Sequence, residues 1–272
     1  MMKDYMKANK EAWEEAFSHK KDGWGEDVVQ NIQRKPDFYI KPPIKSILDK
    51  QNLKSKKIAQ FCCNNGRELL SITKHYGVSG TGFDIAENLV SEGIRSCKEL
   101  ALPCEFIATN ILDVGAEYNQ SFDIVLFTIG AIIWFEDLEE LFKVASRCLK
   151  PNGMMILHEI HPVMNMLPLP EEDEYRNDIP VVLEHKYFSK EPYIETNGMG
   201  YISGEYESKT FTSFAHSMSK IINSVIKSGM VINLMNEYDY DIGLSDVYDG
   251  KGLPLSMLLV SSKQDIDLSL SE

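Results

Sequence analysis

The stretch 58–84 constrains this chain most. It runs Ile58-Ala-Gln-Phe-Cys-Cys-Asn-Asn-Gly-Arg-Glu-Leu-Leu-Ser71 and then Gly80-Thr-Gly-Phe-Asp84. A short apolar run enters a turn of small residues, a helix leaves the turn, and a second strand ends on an acid. That order is half of a nucleotide-binding α/β fold. The acid lies 18 residues past Gly66, where such folds place a carboxylate against ribose hydroxyls. Only a tight turn of small residues lets backbone N–H groups approach a ligand, and a helix N-terminus behind the turn favours negative charge.

The turn is not glycine-rich. Aligned to a Gly-x-Gly-x-Gly pattern it reads Cys62-Cys63-Asn64-Asn65-Gly66, so only the last glycine is present. Taken alone it also reads as an ordinary strand-to-helix turn, with Asn64 or Asn65 accepting a left-handed conformation.

Downstream come Cys104-Glu-Phe-Ile-Ala-Thr-Asn-Ile-Leu-Asp113, Phe122-Asp-Ile-Val-Leu-Phe-Thr-Ile-Gly130 and Lys150-Pro-Asn-Gly-Met-Met-Ile-Leu-His-Glu-Ile-His161. With these motifs in order, the chain resembles the class I S-adenosylmethionine-dependent methyltransferases, in particular their small-molecule branch. The resemblance covers about residues 55–162. It implies S-adenosylmethionine as cofactor, with Asp84 at the ribose-binding acid, Asn110 at the adenine-side polar position and Lys150-Pro-Asn-Gly153 at the turn before the fifth strand. Gln60, Cys62, Cys63, Asn64, Gly66, Ile85, Ile111, Leu112, Phe127 and Thr128 complete the implied cofactor site. Two departures stand out. Gln60 replaces the acid that many members carry near the end of the first strand, and Cys62 and Asn64 replace two glycines. Their side chains come close to the methionine end of the cofactor, although Asn64 can adopt positive φ at modest cost.

At 272 residues the chain can hold one α/β domain with a substantial core and an insertion. A hydrophobic content of 43% and a charged content of 25% are ordinary for a globular protein. No apolar run approaches the ~18 residues that span a bilayer, and the polar start Met1-Met-Lys-Asp-Tyr-Met-Lys lacks a signal-peptide core. A cytoplasmic protein is expected, with no membrane partner. Five cysteines, an odd number, read as small buried hydrophobes rather than a disulfide framework. A net charge of −13 with no basic cluster argues against nucleic acid. An acidic surface suits a cationic or amine-bearing acceptor, and solubility explains it equally well.

Alternation of strands near 58–62, 80–84, 104–108, 122–128 and 154–160 with helices near 67–76, 87–101 and 137–149 predicts a parallel sheet covered on both faces. With the resemblance, the expected fold is a Rossmann-like, mostly parallel seven-stranded α/β sheet with an N-terminal helical cap and an antiparallel β insertion after the fifth strand. The expected divisions of this single domain are a cap at 1–53, a cofactor-binding core at 54–161, an acceptor lid at 162–213 and the rest of the core at 214–262. Ala12, Trp13, Ala16 and Phe17 predict a helix over 8–18 with Asn9 as N-cap. Pro36, Pro42 and Pro43 break the chain before a short helix near 44–52. The insertion holds an acidic loop at 171–174 and β-prone pieces around 181–188, 192–196 and 201–211. A helix at 216–228 stopped by Gly229, strands at 230–239 and 254–262, and a frayed polar tail close the chain.

Methyl transfer from a sulfonium is an in-line displacement, so the protein mainly positions the acceptor and, where needed, takes its proton. No metal is expected: His158-Glu-Ile-His161 ends a strand, where residues three apart face opposite ways. His161 and His216 fall near the mouth of the sheet and are the candidate general bases, with surface or structural roles as the alternative. Ile129, Trp134, Phe188 and Tyr201 are the candidate acceptor pocket. Trp134 would favour a sulfonium by cation–π attraction, or simply pack at a helix start. Three functions remain: methylation of N or O on a small molecule, by a monomer or homodimer; a non-catalytic S-adenosylmethionine-binding or regulatory protein; and a nicotinamide-dependent oxidoreductase, which the single glycine and the 150–153 turn disfavour.

Overall fold

Strand β1 (Lys57–Phe61) is buried along four of its five residues and sits at the centre of the sheet in a computed structural model. The structure describes residues 3–170, 172, 175–176, 181–243 and 246–264. Three helices precede β1: α1 (Asp4–Ser18), α2 (Val28–Arg34) and α3 (Pro42–Leu48). The core then alternates through α4 (Arg67–Tyr76), β2 (Ser79–Asp84), α5 (Glu87–Leu100), β3 (Cys104–Ala108), β4 (Phe122–Phe127), α6 (Leu138–Cys148) and β5 (Leu149–Ile160). After the insertion, with β6 (Tyr193–Glu195) and β7 (Phe211–Ser213), come α7 (Met218–Lys227), β8 (Met230–Tyr238) and β9 (Ser256–Lys263).

The main sheet has seven strands in the order β3-β2-β1-β4-β5-β9-β8. Strands β1 to β5 pair in parallel, and β9 lies antiparallel between β5 and β8. Period-two alternation splits the core across the two faces. Phe61, Val125, Phe127, Met155, Leu157 and Leu259 pack with α6 and α7, while Ile58, Ile124, Leu126, Ile156, Leu258 and Val260 pack with α3, α4 and α5. The chain reverses direction across the sheet between β1 and β4, where open α/β sheets bind ligands at their carboxyl ends.

Several sequence expectations are corrected. Helix α1 begins at Asp4, so Asn9 is not its cap but a buried mid-helix residue (4% exposed). Asn9 Nδ2 donates to Thr212 O at 2.8 Å, and Thr212 N–H donates to Asn9 Oδ1 at 2.7 Å, so one side chain docks β7 onto α1. Pro42 and Pro43 open α3 rather than breaking it, because an initial helical residue needs no N–H. The 150–153 turn is an irregularity inside β5, with Asn152 at φ 60°. Among the described residues of the insertion only Tyr193–Glu195 and Phe211–Ser213 form a ladder; 181–188 is irregular, and 199–203 is a turn. A β-prone piece without a neighbouring edge has nowhere to place its backbone hydrogen bonds. Most of the acidic loop, at 171, 173 and 174, and the tail from 265 onward lie outside the described residues.

Asp137 caps α6 by accepting from Glu139 and Glu140 N–H, as its position before an apolar helix predicts. All five cysteines are free. No described helix is long and apolar enough to cross a membrane.

Candidate functional site

Sheet register assembles the site. Phe61 pairs with Phe83 on one side and Phe127 on the other, so the next residues, Cys62, Asp84 and Thr128, meet at the carboxyl edge. They line a cavity of about 550 Å³, within the range of small-molecule sites.

The turn after β1 holds a glycine-like backbone without the glycines. Cys62 and Asn64 have φ of 55° and 53°, and Gly66 has 74°. The Asn64 amide explains its own tolerance, because Oδ1 accepts the Asn65 N–H at 2.7 Å. Gly66 is required for space as well as φ, since a Cβ there would sit 2.1 Å from the Phe106 ring. Asp84 braces the turn. Its Oδ2 accepts from Asn64 N–H at 2.7 Å and its Oδ1 from Ala86 N–H at 3.1 Å. Burial pushes its pKa up against the pull of the Ala86, Asn64 and Ile85 N–H groups. Each oxygen keeps acceptor capacity toward the cavity.

Gln60 is fully buried behind the turn and does not line the cavity. Its Nε2 donates to Thr128 Oγ1 at 3.1 Å and its Oε1 accepts Leu69 N–H at 3.1 Å, which ties β1 to the end of β4 and to the first turn of α4. It orients the turn from behind. Asn110 lies on the wall, and its Oδ1 caps the 3-10 turn Ile111–Asp113 by accepting Leu112 N–H. Cys63, Ile85 and Ile111 also line the cavity, whereas Gly66, Leu112 and Phe127 do not; Phe127 belongs to the core beneath.

Ile129, Trp134 and Tyr201 also line the cavity, with Tyr201 next to the turn. Phe188 does not: it is 75% exposed, because the piece carrying it is irregular rather than a strand folded over the site. Sequence reasoning missed Trp13, Trp24, Glu68, Met199, Ile242 and Gly243 on the wall. The one available signal was that the chain contains only three tryptophans. It also missed Glu159, a buried acid in the apolar run of β5. Glu159 accepts from Gly130, Ile132 and Ile160 N–H at 2.8, 3.1 and 2.8 Å, so it clamps the loop that presents Ile129, Ile133 and Trp134.

Neither histidine expected as a base reaches the wall. His161 is 5% exposed and caps the turn Pro162–Met166. Its Nδ1 accepts Val163 N–H at 3.1 Å, which puts the proton on Nε2, 2.9 Å from Glu237 Oε1. Burial holds its pKa below the usual value despite that carboxylate. His216 is 3% exposed beside the backbone of Ile132 and Phe135, and burial drops its pKa to about 4. His158 faces the other side of the sheet against Tyr238, also at about 4. Both candidates sit behind the loops that form the wall.

The insertion is fastened to the cap and to the turn. Lys21 N–H donates to Ile202 O at 2.8 Å and Lys21 Nζ to Gly200 O at 2.7 Å. Asn64 Nδ2 donates to the Tyr201 hydroxyl at 3.1 Å.

A family of sequences described as "Methyltransferase domain" matches residues 58–153, from β1 through the turn in β5. That stretch resembles a methyltransferase domain, and it holds the turn, Asp84 and the first four strands of the site. The methyltransferase fold extends beyond the matched residues. A methyltransferase of Mesorhizobium loti superposes with a TM-score of 0.61 at 13% identity, over 81% of this chain and 97% of that one. One of Clostridium acetobutylicum has a TM-score of 0.59 at 12% identity, over 88% and 99%. Geranyl diphosphate C-methyltransferase of Streptomyces coelicolor, in complex with Mg2+, geranyl diphosphate and S-adenosylhomocysteine, has a TM-score of 0.60 at 12% identity, over 97% and 100%. At such identities the likeness is one of fold. An uncharacterised protein of Haemophilus influenzae is 26% identical over 113 residues, which are 40% of this chain. The match spans 45% of that relative's length.

Proposed function

We propose that the chain transfers the methyl group of S-adenosylmethionine to nitrogen or oxygen of a small-molecule acceptor. One observation carries this reading: the left-handed turn at Cys62–Gly66 and the Asp84 carboxylate face a single cavity at the switch point of the sheet. When bound, the cofactor supplies the electrophilic methyl group. Asp84 would hold the ribose hydroxyls, Asn110 the adenine side, and the turn amides the methionine end, with Ile85, Ile111 and Thr128 around them. Burial, with Asp84 and Glu159 nearby, raises the Cys62 pKa well above its usual value, so the thiol on the wall stays protonated and does not compete for the methyl group. Ile129, Trp134 and Tyr201 would border the acceptor, and the insertion would act as a lid that excludes water. This reading has a cytosolic monomer or homodimer acting without nucleic acid, which the net charge of −13 supports.

A second reading, a non-catalytic S-adenosylmethionine-binding protein, is favoured by the lack of any histidine or lysine on the cavity wall among the described residues. Calorimetry with S-adenosylmethionine, S-adenosylhomocysteine and NAD tests the binding half: the first two should bind and NAD should not. Radiolabelled methyl incorporation across a metabolite panel separates enzyme from binding protein.

A further inference from the structure

We propose that the aromatic wall of the cavity is a box for an alkylated amine, held as its ammonium cation; this deepens the methyltransferase reading and rests on it. All three tryptophans of the chain line this one cavity. They come from separate segments: Trp13 from α1, Trp24 from the turns after it, and Trp134 from the 3-10 turn Ile132–Trp134. Tyr201 joins them from the insertion.

The rings form corners rather than a stack. Trp13 and Trp134 lie 5.4 Å apart at 79°, and Trp13 and Tyr201 6.4 Å apart at 61°. Phe211 closes the back, 5.6 Å from Trp13 and buried to 1% exposure. The three tryptophans are partly buried, and each presents part of its ring to the cavity. Aromatic faces set at angles around a space are the arrangement that attracts an alkylammonium group.

Charge on the wall points the same way. Asp84 and Glu68 line the cavity, and the one cation there among the described residues, Arg67, pairs with Glu68 at 3.0 Å and lies over the Tyr39 ring. An anionic acceptor would meet the Asp84 carboxylate, with Arg67 already paired to Glu68. An alcohol would need a base, and His161 and His216 are held elsewhere. A tertiary amine needs no positioned base: its ammonium form gives its proton to water before transfer. The neutral nitrogen then attacks the methyl carbon as the sulfonium S–C bond breaks, leaving a quaternary ammonium with no further proton to lose.

The test uses the full chain saturated with S-adenosylhomocysteine, which lacks the sulfonium charge. Choline and its uncharged carbon isostere, dimethylbutanol, are titrated by calorimetry and tryptophan fluorescence. Choline should bind about tenfold tighter than the isostere. In Trp13→Leu and Trp134→Leu that preference should fall to about parity, with S-adenosylhomocysteine affinity kept as the check on folding, and Trp13→Phe should retain most of it. Equal binding of choline and the isostere by the unsubstituted chain overturns the box, and needs no variant to be read. So does a Trp13→Leu chain that loses affinity for S-adenosylmethionine but not S-adenosylhomocysteine, because the box would then hold the cofactor's own sulfonium. Failure of S-adenosylhomocysteine to bind at all overturns the methyltransferase reading itself, a result distinct from the other two.

Discussion

Asp84 Oδ2 accepts the backbone N–H of Asn64 at 2.7 Å, so the acid at the end of β2 holds the left-handed turn after β1 in shape. The carboxylate therefore braces the protein on one side and offers acceptor oxygens to the cavity on the other. Replacement by alanine removes both functions. Asp84→Ala should weaken S-adenosylhomocysteine binding by about 2–3 kcal/mol, since a charge-assisted acceptor is lost and the ligand hydroxyls lose a partner. Calorimetry on a variant shown to be folded by circular dichroism checks it, and unchanged affinity would remove Asp84 from the site.

The backbone at Asn64 makes a sharper test of the turn. At φ 53° a β-branched side chain is strained, while glycine is at ease. Asn64→Gly should bind S-adenosylhomocysteine within severalfold of the unsubstituted chain, losing the side-chain contacts to Tyr201 and to the Asn65 N–H. Asn64→Val should abolish binding. Similar affinities for the two would show that the turn does not approach the ligand.

Asn9 is the joint between cap and insertion. Its carboxamide satisfies both backbone groups of Thr212 in a buried position. Asn9→Ala leaves those groups unpaired and should lower stability by about 2–3 kcal/mol. Urea unfolding measures this, and hydrogen exchange should show β7 opening before the main sheet.

Two buried histidines set a pH dependence. In the folded chain His158 and His216 stay neutral down to about pH 4, while in the unfolded chain each protonates near ~6.5. The unfolded state thus binds more protons between these values. Stability is full above about pH 6.5 and falls as pH drops toward 4. Per histidine the loss between pH 7 and pH 5 is about 2 kcal/mol. His158→Leu should flatten the curve by that amount relative to the unsubstituted chain. An identical pH slope in the two proteins would mean that the His158 ring reaches water.

The sequence by itself determined what is written in local spacing. Short apolar runs alternating with helical stretches placed β1 to β5 and α4 to α6, and the distance from Gly66 to the next strand end located Asp84. A turn lacking two glycines could still be read as left-handed, because an asparagine tolerates positive φ through its own side chain. Only the tertiary structure decided which side chains face the cavity. Trp13 and Trp24 lie more than a hundred residues from Trp134 and share a wall with it only after α1 docks on β7. Asn9 finds its partner 203 residues away. His161 and His216, well placed along the chain, turn behind the wall, where Glu237 and the loop after β4 enclose them. The β-prone piece at 181–188 remained irregular for want of a strand edge. Backbone periodicity and turn chemistry act between near neighbours, so they can be read along the chain. The direction of a loop side chain is set by contacts between distant segments, and these exist only once the sheet has formed.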